Sequence, residues 1–381
     1  MLERQRIVGW AVALLVGFVV GARPASGVPL VTYVTGEAGG ADVIFRVTLD
    51  PAVAGSAVPT VHVVDPVFRL DGIDFVPGTG ETQVVVGAQG GPGPGAITRY
   101  NVASPGVMSP FVGDASAVSG SPTGANPSTV LGHGGHIYYV ENQFGFAGAL
   151  EPHRVMRVPV AGPPHTPVEV VYDGAGDGLV NFEGLEIVGS TMYFFAQDPG
   201  DPDSRALLSL ALDGGGLGMG APTVEIAGLT EGPGADPPNG PGASDGSDEL
   251  DYDAASGMLF GTNIINGELI MFDVSASTGI VVAGSAALLP GGLHDGIRTD
   301  NDGHLIYTSL DGVIGAIDIP AILDGSVDPG DFRVLYDSAV AGTGFSFDDL
   351  TPISVLPEPT TTVLLGLSGL GLLATRRRRT V

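Results

Sequence analysis

The sequence predicts an all-β fold, a six-bladed β-propeller whose closing blade mixes the two ends of the chain, and three observations predict it. A short acid-led segment, degenerate in one copy, recurs at residues 71, 128, 183, 248, 295 and 348, giving a period of 47 to 65 residues. That is the length of four strands with their turns. After each of the first five segments comes a strongly apolar run and then two further β-rich runs. Before residue 71 the chain supplies only three such runs and from residue 348 only one, so the two ends together complete a sixth set. A β-sandwich or a β-helix is the alternative arrangement for strands of this kind.

The acid-led segments read Asp71-Gly72-Ile73-Asp74, Glu183-Gly184-Leu185-Glu186, Asp248-Glu249-Leu250-Asp251, Asp295-Gly296-Ile297 and Asp348-Asp349-Leu350, with a degenerate copy at Ser128-Thr129-Val130-Leu131. Second strands are expected at 83–88, 136–140, 192–196, 258–262 and 304–309, and third strands at 96–102, 155–160, 206–212, 268–274 and 313–319. Fourth strands are expected at 107–112, 168–172, 223–226, 280–283 and 332–336. The closing blade combines 31–35, 43–49 and 60–64 with 348–353. Turn pairs such as Asn266-Gly267, Asp302-Gly303 and Asp311-Gly312 separate neighbours, which is hairpin chemistry. Helix-period patterns are absent outside the chain ends. The chain has no cysteine, so a ring must hold itself shut, and pairing the last strand beside the first removes two open edges. Residues 231–246 are a Gly/Pro-rich stretch between two units and are expected to form a long loop.

The two ends carry signals of another kind. Arg4 and Arg6 precede an apolar run at 7–20, and small residues follow at Ala25-Ser26-Gly27, the three parts of a secretory signal peptide over 1–27. An uncut N-terminal anchor is the alternative, for which the run is short. At the other end, Pro357-Glu358-Pro359 is followed by three threonines, an uncharged stretch and then Arg376, Arg377, Arg378 and Arg379. The prolines stop any preceding strand or helix and leave an extended, accessible segment. Residues 360–375 would span about 24 Å as a helix, short of the ~30 Å bilayer core, and the arginines favour a cytoplasmic end.

This order of parts resembles the PEP-CTERM sorting domain of exported bacterial proteins, over residues 355–381. The resemblance implies transient membrane anchoring, cleavage by a protease of the exosortase type, and delivery to the cell surface or an extracellular matrix. It implies nothing about the chemistry of residues 28–354, the propeller domain.

That body is strongly acidic. Leaving out the end segments, eight basic residues face 40 acidic ones, a charge near −32, and the whole chain has no lysine. Such a surface repels nucleic acid and anionic lipid and attracts divalent cations. In a propeller the innermost strand of each blade lines the central channel, and the acid-led positions open that strand. Asp71, Glu183, Asp248, Asp295 and Asp348 are therefore the expected ring of carboxylates at one mouth, with Ser128 in the sixth position. Glu37, Gln89, Glu141, Asn142, Gln197, Asp198, Asn263 and Asp311 leave the second strands toward the same face. Converging carboxylates repel unless protonated or bridged, and Ca²⁺, with six to eight oxygen ligands, is the expected bridge. The alternative is structural, since Asp, Asn and Gly are ordinary turn residues.

Phe182-Glu183-Gly184-Leu185-Glu186 and Leu70-Asp71-Gly72-Ile73 faintly resemble inner-strand motifs of phytase-like and gluconolactonase-like propeller hydrolases, which implies a channel-bound cation acting on water or substrate. No catalytic residue is carried over from so short a match. His133-Gly134-Gly135-His136 reads as a turn before a strand, while His294 beside Asp295 is placed to be a ligand or base. Gly242-Ala243-Ser244-Asp245-Gly246 matches the nucleophile-elbow pattern but lacks the strand and helix that expose such a serine. The functional expectation is an exported Ca²⁺-assisted binding or structural module, with an extracellular polysaccharide as its partner. An extracellular metal-dependent hydrolase is the alternative.

Overall fold

The structure is a computed structural model and describes residues 29–65, 69–89, 96–104, 108–112, 126–142, 154–161, 168–180, 182–198, 201–230, 249–263, 267–283, 285 and 294–355. The N-terminal signal over 1–27, the sorting motif from Pro357 to Arg379, the loop at 231–246 and Asp248 lie outside the described residues. Val31–Ser354 is one compact unit.

Three strands come first, β1 (Leu30–Ala38), β2 (Ala41–Leu49) and β3 (Val58–Asp65). The first full blade is β4 (Arg69–Phe75), β5 (Gln83–Gln89), β6 (Ala96–Asn101) and β7 (Met108–Val112). The second is β8 (Asn126–His133), β9 (His136–Asn142), β10 (Arg154–Pro159) and β11 (Glu169–Asp173). The third is β12 (Glu183–Val188), β13 (Thr191–Asp198), β14 (Asp201–Ala211) and β15 (Thr223–Thr230). The fourth is β16 (Leu250–Asp253), β17 (Met258–Asn263), β18 (Glu268–Asp273) and β19 (Thr278–Val281). The fifth is β20 (His294–Thr299), β21 (His304–Ser309), β22 (Val313–Asp318) and β23 (Phe332–Asp337), and β24 (Phe345–Leu350) follows.

Each full blade is a meander in chain order, and in the sixth sheet β24, β1, β2 and β3 run side by side. The first strand of every blade lies against the first strand of the next, from β4 through β8, β12, β16, β20 and β24 and back to β4. The chain is therefore an all-β six-bladed propeller closed by both ends, with the acid-led strands innermost.

The second strands are uniformly apolar because both of their faces are covered. On β9, Ile137 and Tyr139 pack into the core shared with the first blade, while Tyr138 and Val140 pack into the core shared with the third. On β13, Met192, Phe194 and Ala196 turn to the second blade, and Tyr193 and Phe195 turn to the fourth. The period of two is intact, but both sides of it are buried between sheets.

Closure rests on β24. It pairs antiparallel with β1, Val34 opposite Leu350 and Ala38 opposite Phe345. Beyond it, Tyr33 N–H donates to the Thr351 hydroxyl at 3.0 Å, Thr351 N–H donates to the Tyr33 carbonyl at 2.8 Å, and the Thr32 hydroxyl donates to the Thr351 carbonyl at 2.8 Å. The strand starts and stops three residues earlier than the sequence predicts. Pro352 lacks an N–H and biases Thr351 away from regular pairing, so the strand ends at Leu350. Its start reaches back to Phe345 because Phe345 and Phe347 pack on Phe45, with ring centroids 4.9 and 5.1 Å away. Two one-turn helices, Ile319–Ile322 and Ser338–Ala341, were not expected; each is too short to leave a helical period in the sequence.

Phe347 is fully buried between the first and last parts of the chain. Phe347→Ala is expected to lower unfolding free energy by about 3–5 kcal/mol in a urea titration, the usual cost of emptying a core aromatic site. A loss below about 1 kcal/mol would mean that β24 is not integral to the ring.

Candidate metal centre

The acid-led segments share a backbone irregularity. Against their second strands, Gly72 and Gly184 have no partner, since Asp71 and Ile73 face Gly87 and Val86, and Glu183 and Leu185 face Phe195 and Phe194. Ser128 and Thr129 lie between pairs whose partners have a single residue between them, as do Asp295 and Gly296, and on β24 Asp348 and Asp349. Five of the six inner strands thus carry one extra residue at the same place. Such a bulge kinks the strand, raises its twist and re-aims the neighbouring side chains. Gly184 takes a φ of 55°, which favours glycine. Gly296 is required by space instead, because a Cβ there would sit 2.5 Å from both Leu350 Cδ2 and Thr308 Oγ1.

At the bulges of β20 and β24, Asp295, Asp348 and Asp349 bring one carboxylate oxygen each to within 4.8 Å of one another. Asp295 and Asp349 are buried and Asp348 is half-buried. Buried threonines on the second strands hold this backbone. Thr262 donates to the Asp295 carbonyl at 3.1 Å, Thr35 donates to the Asp349 carbonyl at 3.3 Å, and Thr308 donates to the Asp348 carbonyl while accepting the Gly296 N–H at 3.0 Å. An all-oxygen set of this kind suits a hard cation, Ca²⁺ or Mg²⁺, in preference to zinc or copper.

A second group of charges lies three residues farther along the inner strands, at Asp74, Glu186, Asp251 and Arg298. The Arg298 side chain is only 5% exposed; its Nη2 lies 2.5 Å from Glu249 Oε1, and its Nε is 4.0 Å from Asp251 Oδ1. Its Nη1 donates to the carbonyls of Ile297 at 2.8 Å and Leu250 at 3.3 Å. The acids also stitch one blade to the next. Asp74 accepts the Gly132 N–H at 2.6 Å, Glu249 accepts the Ile297 N–H at 2.8 Å, and Asp251 accepts the Thr299 N–H at 2.6 Å.

Burial pushes the Asp74 carboxyl up to about 6, against the opposing pull of Arg298 and two backbone N–H groups. Burial and then the charge of Asp251 raise Glu186 well above the carboxylate range, despite Arg298. Asp251 is raised as well, by burial, with Arg298 and Thr299 opposing. Burial also works against the Arg298 charge, but Glu249, Asp251, Asp74 and Asp349 outweigh it and raise the arginine's pKa.

Of the five expected carboxylates, Asp295 and Asp348 meet, together with Asp349. Asp71 and Glu183 sit on inner strands outside this trio, Asp71 accepting its neighbour Gly72 N–H at 3.1 Å and Glu183 buried. Asp248 lies outside the described residues, as does the Gly242–Ser244–Gly246 pattern. His294 opens β20. His133 and His136 face each other across a turn in which Gly134 and Gly135 have φ of 57° and 81°, and both rings flank Tyr138. Among the described residues Asp295, Asp348 and Asp349 are the group of three placed to hold a metal, and neither His133 nor His136 belongs to it. Sequence reasoning missed Asp349, Arg298 and the three threonines as site residues. The signal for Arg298 was available, because it takes the fourth place of a motif three of whose other copies end in an acid, Asp74, Glu186 and Asp251.

Among solved structures, the chain is similar to one in a nidogen/laminin complex, with 16% identity over 86% of this chain and 98% of that one and a TM-score of 0.56. It is similar to TolB from Acinetobacter baumannii, with 10% identity over 88% of this chain and 69% of that one and a TM-score of 0.54. Regucalcin from Agrobacterium tumefaciens, a calcium-binding protein, is more distant in shape, with 14% identity over 82% and 88% and a TM-score of 0.45. At these identities the first two likenesses are of fold alone. No protein-family model and no curated protein matches the chain.

A carboxyl raised in the folded state binds its proton more tightly there than in the unfolded chain. Stability therefore rises as pH falls through the folded value, and the gain is complete near the unfolded one. For Asp74 that window runs from about 6 down to 3.8, and the shift corresponds to about 3 kcal/mol. The difference in unfolding free energy between wild type and Asp74→Asn is expected to move in favour of wild type as pH falls across that window. A difference that stays flat, or moves the other way, would mean that Asp74 is not desolvated as described.

Proposed function

We propose that this chain is an exported protein, sorted to the cell surface or an extracellular matrix, whose propeller binds Ca²⁺ at one mouth and presents it to a polysaccharide. The observation that carries this reading is the meeting of Asp295, Asp348 and Asp349 within 4.8 Å on adjacent inner strands. Three carboxylates at that spacing favour a divalent cation strongly over an empty gap. They also leave part of a six- to eight-fold oxygen shell open, which hydroxyls of an extracellular polysaccharide can fill. The body charge near −32 concentrates divalent cations at the surface, and Asp71, Glu183 and Asp248 add to the field of the same mouth in this reading.

Export and sorting rest on the sequence signals. The segment over 1–27 acts as the signal peptide. Pro357-Glu358-Pro359 with Arg376, Arg377, Arg378 and Arg379 forms the PEP-CTERM segment, recognised by an exosortase-type protease and anchored in the membrane until cleaved. Among the described residues no helix is long and apolar enough to cross a membrane, and the segment falls outside them.

Calorimetric titration of the full-length chain with Ca²⁺ tests the site. Wild type is expected to bind with an accompanying rise in Tm that EDTA reverses, about 2.7 kcal/mol of added stability at 100 times Kd. Asp348→Asn and Asp349→Asn are each expected to weaken binding at least about tenfold, the loss of roughly one charged ligand. No binding heat and no response to EDTA would refute the site. Turnover of a phosphoester or lactone by the Ca²⁺-loaded protein, lost in Asp349→Asn, would replace the binding module with a hydrolase. For sorting, replacing Pro357, Glu358 and Pro359 by alanine is expected to leave an uncleaved precursor in the membrane fraction; normal cleavage would overturn that assignment.

A further inference from the structure

We propose that His304 is a proton-operated latch on the seam between the fifth blade and the closing blade, and that a second proton on its ring tightens that seam. Its residues are separate from the Asp295, Asp348 and Asp349 trio and lie past the other end of β20.

β20 carries Asp295 near its start and ends at Thr299, and the turn that follows, residues 300–303, leads into His304 at the head of β21. Asp300 organises that turn. Its Oδ1 accepts the N–H groups of Asp302 at 2.8 Å and His304 at 2.9 Å, and its Oδ2 lies 2.7 Å from His304 Nδ1. The Asp300 side chain is only 2% exposed, so it meets the ring out of reach of water. A carboxylate can only accept, which puts the proton of the neutral ring on Nδ1. Nε2 is then bare, and it faces Asp318 Oδ1 at 3.6 Å, one acceptor against another. A second proton, on Nε2, turns that opposed pair into an attraction and leaves the ring held between two carboxylates.

Asp318 carries the effect across the seam. It stands opposite His304 on β22, and Arg333 on β23 binds both of its oxygens, at 2.7 and 2.5 Å. The same guanidinium donates to the Pro51 carbonyl at 3.3 Å, in the turn between β2 and β3 of the closing blade. Two backbone bonds cross the seam beside it, from Gly55 N–H to the Val334 carbonyl at 3.0 Å and from Ala57 N–H to the Leu335 carbonyl at 3.1 Å. The charges around the ring are thus Asp300 from the turn, Asp318 from β22 and Arg333 from β23, with Asp50 of the closing blade acting on Arg333. Two acids there face one arginine, and a protonated His304 brings them into balance.

The hydrogen bond to Asp300 raises the His304 pKa above its ordinary value. Burial opposes this, and the charges of Asp300 and Asp318 outweigh that of Arg333. A histidine raised in this way stabilises the fold fully below its unfolded value of 6.5, and the gain is lost as pH rises through the folded value.

The test follows amide hydrogen exchange of the full-length chain in EDTA from about pH 6 to about pH 9, with the His304 ring titrated by NMR in the same buffers. The His304 midpoint is expected above 6.5, and the protection factors of Gly55 and Ala57 are expected to fall at least about twofold as pH rises through it. In His304→Asn, whose amide can still meet Asp300 but carries no charge, that step is expected to vanish. In Asp318→Asn the ring is expected to titrate lower and the step to vanish as well. Wild-type amides without a step, or a step that survives in His304→Asn, would overturn the proposal. A His304 midpoint at or below 6.5 would overturn it too, and the wild-type measurements decide the outcome if a variant fails to fold. Because EDTA is present throughout, a failure of the Ca²⁺ site leaves these outcomes untouched.

Discussion

Bringing six inner strands to one axis forces their equivalent side chains into a small space, and here most of those side chains are acids. Two unit charges 4 Å apart interact by about 4 kcal/mol at an effective dielectric of 20, so the ring cannot close over uncompensated carboxylates. Three kinds of compensation are visible in the molecule. Asp74, Asp251 and Glu249 accept backbone N–H groups from the next blade, so the charges that resist closure also bind the blades together. Arg298 supplies a buried positive charge. Burial raises Asp74, Glu186 and Asp251 toward the protonated form.

The bulges explain how the strands reach this arrangement. A regular inner strand would send alternate residues to the two neighbouring blades, which are packed with apolar side chains. One extra residue at the acid-led segment breaks that alternation and turns the acids away from the cores. The threonines at 35, 262 and 308 then fix the bulged backbone from the second strands. Asp295, Asp348 and Asp349 are brought together by this local geometry, and not by the ring alone.

The blade pattern was legible in the sequence because each level of the code agreed. Second strands such as 304–309 matched β21 residue for residue, since they are apolar on both faces and bounded by turn glycines. The mixed closing blade followed from the count of strands at each end. What the sequence concealed was the bulge, which cannot be seen without the partner strand. Without it Asp349 reads as the second residue of a motif that carries glycine there at 72, 184 and 296, and so as spacing. Arg298 was hidden for a different reason. It stands one residue beyond Asp295-Gly296-Ile297, and its sign is opposite to the acids at 74, 186 and 251 that mark the same place.

The central claim is that cations, one tethered and one bound, hold the acids at the axis. A crystal structure of the protein grown with Ca²⁺ tests it most directly. The account predicts a strong peak bonded to oxygens of Asp295, Asp348 and Asp349 at roughly 2.3–2.6 Å, with Arg298 still against Glu249. No peak there, with the three carboxylates spread apart or Arg298 turned out of the channel, would contradict it.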